Sequence, residues 1–463
     1  MPARRSLWIV CLVATLHGAF FIWYQSADWT TSWSDQEGYR RLGQVLATTG
    51  KLTRFPDSAT FVPEVLRTPA YPLFVAAIYR VFGPHQIAVA VAQVALFAVI
   101  CLLVYAIGRR IVSERTAWIA ALATALFPPI PYFAALTMTE VWTTLWFTVV
   151  IWLSIRALDE PRTGVFALLG LVTAVTALSR PVFVLFPLAL AAVGIVVVPW
   201  LDTRRAAERP SLRHWVTMLA AFALAMLPWF TYNYVTLGAF TLSPAGGVGR
   251  GIWEGSWQAS WSGRLQHELT HLADEVDDRG ELDRRVIEIA HREQLPSGPM
   301  IEYVHQWEDI RRIWTEPVDS AERARTRVVA DREYLRVGLD NIRRDSLAHL
   351  GKRLARGVFV LWAGEIPFRY SDINDLPPSL IRICWGVQAV IFVAALYGVI
   401  VLARTGRPDA AAVLATAIVY VTAVHFPLLT EARQSLPAIP VVLLLATIGV
   451  VGRRFRTPPH WQP

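Results

Sequence analysis

Charge is scarce in this chain. Of its 463 residues only 17% are Asp, Glu, Lys or Arg, while 54% are hydrophobic. A mean hydropathy of +0.40 is too apolar for a soluble domain of this length and excludes one. Cysteine is scarcer still. The three present, Cys11, Cys101 and Cys384, each fall inside an apolar stretch, so neither a disulfide framework nor a cysteine metal site is expected. A basic face interleaved with aromatics on a soluble surface is also missing, so the net charge of +8 is not a sign of nucleic-acid binding.

Long apolar runs take the place of these features. A helix that crosses a bilayer needs roughly 20 mostly apolar residues. Ten stretches approach that length: 7–24, 86–107, 117–133, 138–158, 165–178, 182–200, 214–235, 380–403, 410–426 and 438–451. The pattern predicts an all-α polytopic membrane protein with about ten transmembrane helices. The first stretch follows Arg4 and Arg5 as a signal peptide would, but it lacks a clear cleavage site and reads as a retained anchor. With ten spans, Arg109, Arg110, Arg115, Arg156, Arg162, Arg204, Arg205, Arg209, Arg213, Arg404, Arg407, Arg453, Arg454 and Arg456 share one side with Arg4 and Arg5. The positive-inside rule makes that side the cytoplasm, with both termini in it, and the cell (plasma or inner) membrane the expected location. The tryptophans cluster near span ends, as an interfacial belt requires.

Three regions follow. Residues 1–235 form an N-terminal transmembrane module that includes a first outer loop, 25–85. Residues 236–379 form an outer helical segment, and 380–463 return to the membrane. Within the first loop, 39–47 and 71–82 are amphipathic runs bounded by Gly50, Pro69, Gly83 and Pro84, expected to lie in the membrane plane. The second segment opens on a glycine-rich turn, 245–251, and continues as charged helices over 263–352. The apolar piece 354–362 is too short to span and is expected to be interfacial or re-entrant.

Function carried on loops held by a rigid scaffold points to the outer side. Asp35 and Arg67 both lie in the first outer loop. A carboxylate can take a proton from an attacking hydroxyl, and a planar guanidinium can grip a phosphate through two hydrogen bonds. Arg433, in the last outer loop, has the same phosphate chemistry. Glu140 stands at the outer end of an otherwise apolar span, where an ionisable group is costly unless partnered. Each has a structural reading beside the functional one: Asp35 as a helix cap, Arg67 and Arg433 as arginines reaching ordinary lipid phosphates, Glu140 as an acid at a helix start. Glu37, Tyr39, Arg180, Asn233 and His425 are supporting positions. Asp35 and Glu140 are able to act with or without a divalent metal ion.

Several strings together carry a resemblance: SDQEGY and RTPAYPLFVAAIYRVFG in the first loop, TMTEVW, LSRP, PWFTYNYVTLGAFTLSPAGG, and EARQSLPAIP near the end. In this order the chain resembles the polytopic GT-C glycosyltransferases, in particular bacterial relatives of the dolichyl-phosphate-mannose protein mannosyltransferases (glycosyltransferase family 39). The resemblance covers most of the chain outside the charged insert. It implies a hexosyl- or pentosyltransferase that moves a monosaccharide from a polyprenyl-phosphate donor to a protein, lipid or polysaccharide acceptor on the outer face, with inversion. It places Asp35 at the reaction centre. The chain departs from the family pattern at Tyr232, where an arginine often precedes the asparagine, and at Ser435, where RQSLP replaces RYRLP. Neither place therefore inherits a phosphate contact.

One string supports a different class. His267, Glu268 and His271 form HELTH, the HExxH pattern in which two histidines one turn apart bind zinc and the glutamate activates water. That alternative is a membrane zinc metallopeptidase, with Glu275, Glu281 and Glu288 available as a third ligand. A transporter is a third class, but the chain shows no inverted repeat and no matched pair of broken helices.

Overall fold

The computed structural model describes residues 2–27, 29, 34–201, 209–243, 248–315 and 320–451. Every regular element among them is a helix. The chain enters with α1 (Pro2–Gln25), turns through two short outer helices, α2 (Ser34–Thr49) and α3 (Ala70–Phe82), and returns as α4 (Gln86–Ile111). Next come α5 (Glu114–Leu126), the short α6 (Pro129–Ala134), α7 (Thr139–Asp159) and α8 (Thr163–Ser179). A composite helix over Pro181–Leu201 follows, containing α9 (Phe186–Ala192), a π-helical turn at Val193–Val197 and α10 (Val198–Leu201), and then α11 (Leu212–Leu237).

Eight of these helical stretches, counting three in the C-terminal part, are long and apolar enough to cross a membrane: Leu7–Gln25, Gln86–Ile111, Thr139–Asp159, Pro181–Leu201, Leu212–Leu237, Pro378–Arg404, Pro408–His425 and Ala432–Val451. The protein is a multi-pass membrane protein. Two of the ten apolar stretches in the sequence form shorter helices. The run 117–133 breaks after Leu126, because Pro128 and Pro129 cannot continue the backbone ladder and instead start α6. The run 165–178 becomes the 17-residue α8.

The outer segment is a bundle of its own: α12 (Gly249–Trp257), α13 (Gly263–Glu275), α14 (Arg279–Glu293), α15 (Ser297–Thr315) and α16 (Ala321–Arg344). Side-chain caps start several of its helices. Ser262 accepts from the Leu265 N–H, Asp278 from Glu281 and Ser320 from Arg323, each satisfying a donor the helix itself leaves unpaired. Its core is separate from that of the spans and holds Trp253, Leu269, Leu282, Val286, Met300 and Tyr303. The amphipathic α17 (Leu347–Ala363) leads back to the bundle, where α18 (Pro378–Arg404), α19 (Pro408–His425) and α20 (Ile439–Val451) complete it. The piece 354–362 lies within α17, which is not among the long spans.

The two ends of the bundle differ in chemistry. At one end Asp159 pairs with Arg110 (3.1 Å) and Arg407 (2.8 Å), and Arg407 also pairs with Asp409 (3.0 Å), tying α4, α7 and the start of α19 together. Arg109, Arg156 and Arg404 stand in the last turns of helices that finish at this same end. Arg204, Arg205, Arg453, Arg454 and Arg456, which the orientation argument also uses, lie outside the described residues, as does the start of the glycine-rich turn at Ala245. The opposite end holds α2, α3 and the start of α7, and is built around two buried glutamines. Gln36 Oε1 accepts from Gln86 Nε2 (2.9 Å) and from the Thr137 N–H (2.9 Å). Gln93 donates to the carbonyls of Ala134 (3.0 Å) and Leu136 (2.6 Å) and accepts from the Tyr71 hydroxyl (3.1 Å). These bonds join the first outer loop to the turn that precedes Glu140.

Candidate active site

Asp35 is in the first turn of α2, and its side chain is 43% exposed. Two guanidiniums hold its two oxygens: Arg67 Nη2 at 3.3 Å from Oδ1 and Arg433 Nη2 at 3.1 Å from Oδ2. Burial would raise the Asp35 carboxyl, but Arg433 and Arg67 outweigh it and keep the group below its ordinary value.

Arg67 reaches Asp35 because its loop is held from beneath. The carboxylate of Glu64, 1% exposed, accepts from the N–H groups of Leu66 (2.8 Å) and Arg67 (3.2 Å) and pairs with Arg54 (2.8 Å). The guanidinium then lies over the Tyr39 ring, 4.7 Å from its centroid. It also lies against Gly38. A Cβ there would sit 2.3 Å from Nη2 and 2.6 Å from Nη1, so only glycine leaves the space that the arginine head occupies. Arg67 Nη1 is buried and has no hydrogen-bond partner among the described residues.

Glu140, in the first turn of α7, has a side chain 1% exposed. Its Oε1 accepts from Arg180 Nη2 at 2.7 Å and lies 3.6 Å from Arg433 Nη1, while Oε2 is buried without a partner. Arg180, just past the end of α8, also donates from Nε to the Thr139 hydroxyl (3.2 Å). Arg433 stands in the 3-10 turn Ala432–Ala438 and pairs through Nε with Glu431 (2.7 Å). An unbroken chain of charge therefore runs Arg67, Asp35, Arg433, Glu140, Arg180, drawn from four parts of the fold. It sets three guanidiniums side by side with carboxylates between them, chemistry suited to a phosphate near a carboxylate that accepts protons.

Three of the supporting positions lie apart from this chain. Glu37 points outward, 72% exposed, and pairs with Arg40 (3.3 Å). Asn233 donates to the Thr241 carbonyl (2.6 Å) and pins the turn after α11. The His425 ring bonds the Val421 carbonyl within its own helix (2.7 Å). Tyr39 and Arg180 stand with the chain of charge, Tyr39 under the Arg67 guanidinium and Arg180 on Glu140.

Four site groups escaped the sequence reading. Glu431 lies in the string EARQSLPAIP, and Glu64 stands three residues before Arg67, where RTPAYPLFVAAIYRVFG begins. Gly38 was visible as a glycine within a helical run, a sign of close backbone approach. Glu365, in the loop after α17, left no signal. Desolvation pushes its carboxyl up to about 7, and it feels the charges of Arg433, Glu140 and Glu431.

HELTH lies elsewhere, on the surface of α13. Glu268 is paired with Arg292 (2.7 Å) and His271 with Glu275 (3.3 Å), both at exposed positions. Among the described residues no three His, Cys, Asp or Glu side chains converge to hold a metal ion, there or beside Asp35. HExxH chemistry needs a third ligand, so the string reads as a solvated helix face held by ion pairs.

Residues 66–204, less than a third of the chain, match the family model described as dolichyl-phosphate-mannose-protein mannosyltransferase. Among solved structures the chain resembles AglB, the oligosaccharyltransferase of Archaeoglobus fulgidus in complex with an inhibitory peptide and a dolichol-phosphate, at 12% identity and TM-score 0.52. That match covers 96% of this chain and 50% of AglB. An Archaeoglobus fulgidus oligosaccharyltransferase in the apo form gives 12% identity and TM-score 0.54, covering 97% of this chain and 50% of its own. The chain thus spans about half the length of the oligosaccharyltransferases it matches. ArnT from Cupriavidus metallidurans, bound to undecaprenyl phosphate, matches at 15% identity and TM-score 0.38 over 96% of this chain and 78% of ArnT. No curated protein matches the sequence at a significant level.

Proposed function

We propose that this protein transfers a monosaccharide from a polyprenyl-phosphate carrier to an acceptor hydroxyl, with inversion, at the outer face of the cell membrane. The observation that carries this reading is the Asp35 carboxylate set between Arg67 and Arg433 at one end of a GT-C bundle. The positive-inside rule, applied to the arginine-rich opposite end, supports a site on the outer side.

The reaction divides among these residues as follows. The acceptor oxygen attacks the anomeric carbon, the bond from that carbon to the phosphate oxygen breaks, and the carrier phosphate leaves with the electron pair. Asp35 takes the hydroxyl proton as the oxocarbenium-like transition state forms. Arg67 and Arg433 bind the donor phosphate and stabilise its growing charge. Without donor, Asp35 occupies the anion position between the two arginines. When the phosphate takes over those contacts, the carboxylate is released and becomes a better base, so donor binding prepares the proton acceptor. Glu140 holds Arg180 and Arg433 at the rear of the site. With both Asp35 oxygens on guanidiniums and three arginines around it, the donor set fits an anion, and the reading uses no cation. The dolichol-phosphate in the AglB complex supports a lipid phosphate as the carrier class.

The test is transfer from a labelled polyprenyl-phosphate sugar by purified protein in liposomes, comparing wild type with Asp35→Asn. The variant should fold and bind donor but transfer nothing. Wild-type turnover by Asp35→Asn would overturn the assignment.

A further inference from the structure

The loop that delivers Arg433 to the site is held by the outer insert. Gln258, just past the end of α12 and buried, grips the backbone of Thr430 with both ends of its amide. Its Oε1 accepts from the Thr430 N–H (3.1 Å) and its Nε2 donates to the Thr430 carbonyl (3.1 Å). About two turns earlier, the Gly251 carbonyl accepts from the Leu429 N–H (2.9 Å). Gly255 lies so close to the same loop that a Cβ would stand 2.4 Å from the Leu428 carbonyl carbon and 2.5 Å from the Pro427 oxygen.

The helix that makes these contacts is itself tied down. The Asp331 carboxylate of α16 accepts from the N–H groups of Gly249 and Arg250 (3.1 Å each) at the start of α12. Asn341 of α16 donates to Ser256 (3.0 Å), and Arg356 of α17 donates to the carbonyls of Gln258 and Trp261. On the other side of Thr430 the chain runs directly into Glu431, which is capped by Gln434 (3.1 Å) and whose carboxylate holds Arg433 Nε. Only two residues, Glu431 and Ala432, separate the backbone that Gln258 grips from Arg433, whose guanidinium lies between Asp35 and Glu140.

We infer that Gln258 is a positioning residue for the transfer reaction: through the Thr430 backbone it sets the place of Arg433, and so couples the outer insert to the donor-phosphate site. This rests on Arg433 acting as a donor ligand, as proposed above. A two-bond clasp to the N–H and the carbonyl of one residue fixes orientation as well as distance, which a single bond or apolar packing does not. Catalytic groups held within fractions of an ångström depend on supports of this kind. The insert, whatever else it meets, is then part of the active-site scaffold.

The test has two arms. In the first, hydrogen–deuterium exchange is followed over residues 427–434 in wild type and Gln258→Ala. Faster exchange there, with the rest of the insert unchanged, is expected, and unchanged exchange would overturn the inference without any assay of transfer. In the second, donor KM and kcat are measured for Gln258→Ala, Arg433→Ala and the double variant. The expected result is at least a tenfold rise in donor KM for Gln258→Ala, with no further rise when it is added to Arg433→Ala. A fall in kcat alone with donor KM unchanged would mark lost folded protein, and an effect fully additive with Arg433→Ala would show independent action. Either result overturns the coupling. If wild type transfers no sugar, the proposed function fails while the exchange arm still decides whether Gln258 holds the loop.

Discussion

Gly38→Ala is the most discriminating perturbation of this site, because it adds one methyl group and removes no charge. The new Cβ would fall 2.3–2.6 Å from the Arg67 guanidinium, well inside contact distance. The backbone of α2 is fixed by Gln36, whose bonds to Gln86 and Thr137 (2.9 Å each) leave no freedom to retreat, so the flexible end of Arg67 must move. It then gives up the Asp35 contact at 3.3 Å and its seat over Tyr39. A hydrogen bond to a charged group is worth about 1.5–3 kcal/mol. At about 1.4 kcal/mol per factor of ten, moving Arg67 out of place should weaken donor binding by about 10- to 150-fold. Stability should hold, because alanine is the better helix former by up to about 1 kcal/mol and the clash is with a mobile side-chain end. The assay is donor affinity by titration of a polyprenyl-phosphate sugar, with the thermal midpoint in detergent measured alongside. Gly38→Ala should match Arg67→Ala and add nothing to it. Wild-type donor affinity in Gly38→Ala would refute the placement of Arg67 on the donor phosphate.

Three further outcomes are expected. Glu140→Gln removes the counter-charge from Arg180 at 2.7 Å in a site where the acid is 1% exposed. Breaking a buried pair from one side costs about 3–5 kcal/mol, so the thermal midpoint and the transfer rate should both fall, and an unchanged midpoint would refute the burial argument. Glu365 is raised from 4.5 to about 7 by desolvation, so the folded chain holds a proton there that the unfolded chain has released. Its contribution to stability is therefore full below about 4.5 and is lost as pH rises to about 7. Glu365→Gln should flatten the melting temperature across that window and gain on wild type at pH 8, and parallel pH profiles for the two would count against it. Glu268→Gln, which breaks only an exposed pair with Arg292, should leave transfer unchanged and cost less than about 1 kcal/mol; loss of activity on substitution would return HELTH to the site.

Much of this was legible in order along the chain. Apolar periodicity marked the spans, and Asp35, Arg67 and Arg433 stood out as loop charges and Glu140 as an acid at a span end, because charge is scarce. The positions that stand outside the chain of ion pairs have a common cause. Glu37 and Asp35 share a short acidic run, and only the register of α2 decides which one faces Arg433 and which faces solvent. Asn233 and His425 are polar groups at helix ends like Glu140, and the distinction lies in what packs opposite them: a Thr241 carbonyl and a Val421 carbonyl instead of an arginine. HELTH has a helical spacing that suits zinc, but spacing within one helix says nothing about a third ligand from another.

The sequence by itself determined the class of protein: a helical membrane protein, because runs of about 20 apolar residues have no other stable place. It also determined which end of the bundle carries the unusual charges, since arginine distribution sets topology locally, span by span. The tertiary structure alone decided how those charges pair. Asp35 and Arg433 are 398 residues apart and Gln258 and Thr430 are 172 apart. Their meeting depends on how ten or more helices pack, and packing is a property of complementary surfaces that no local pattern encodes.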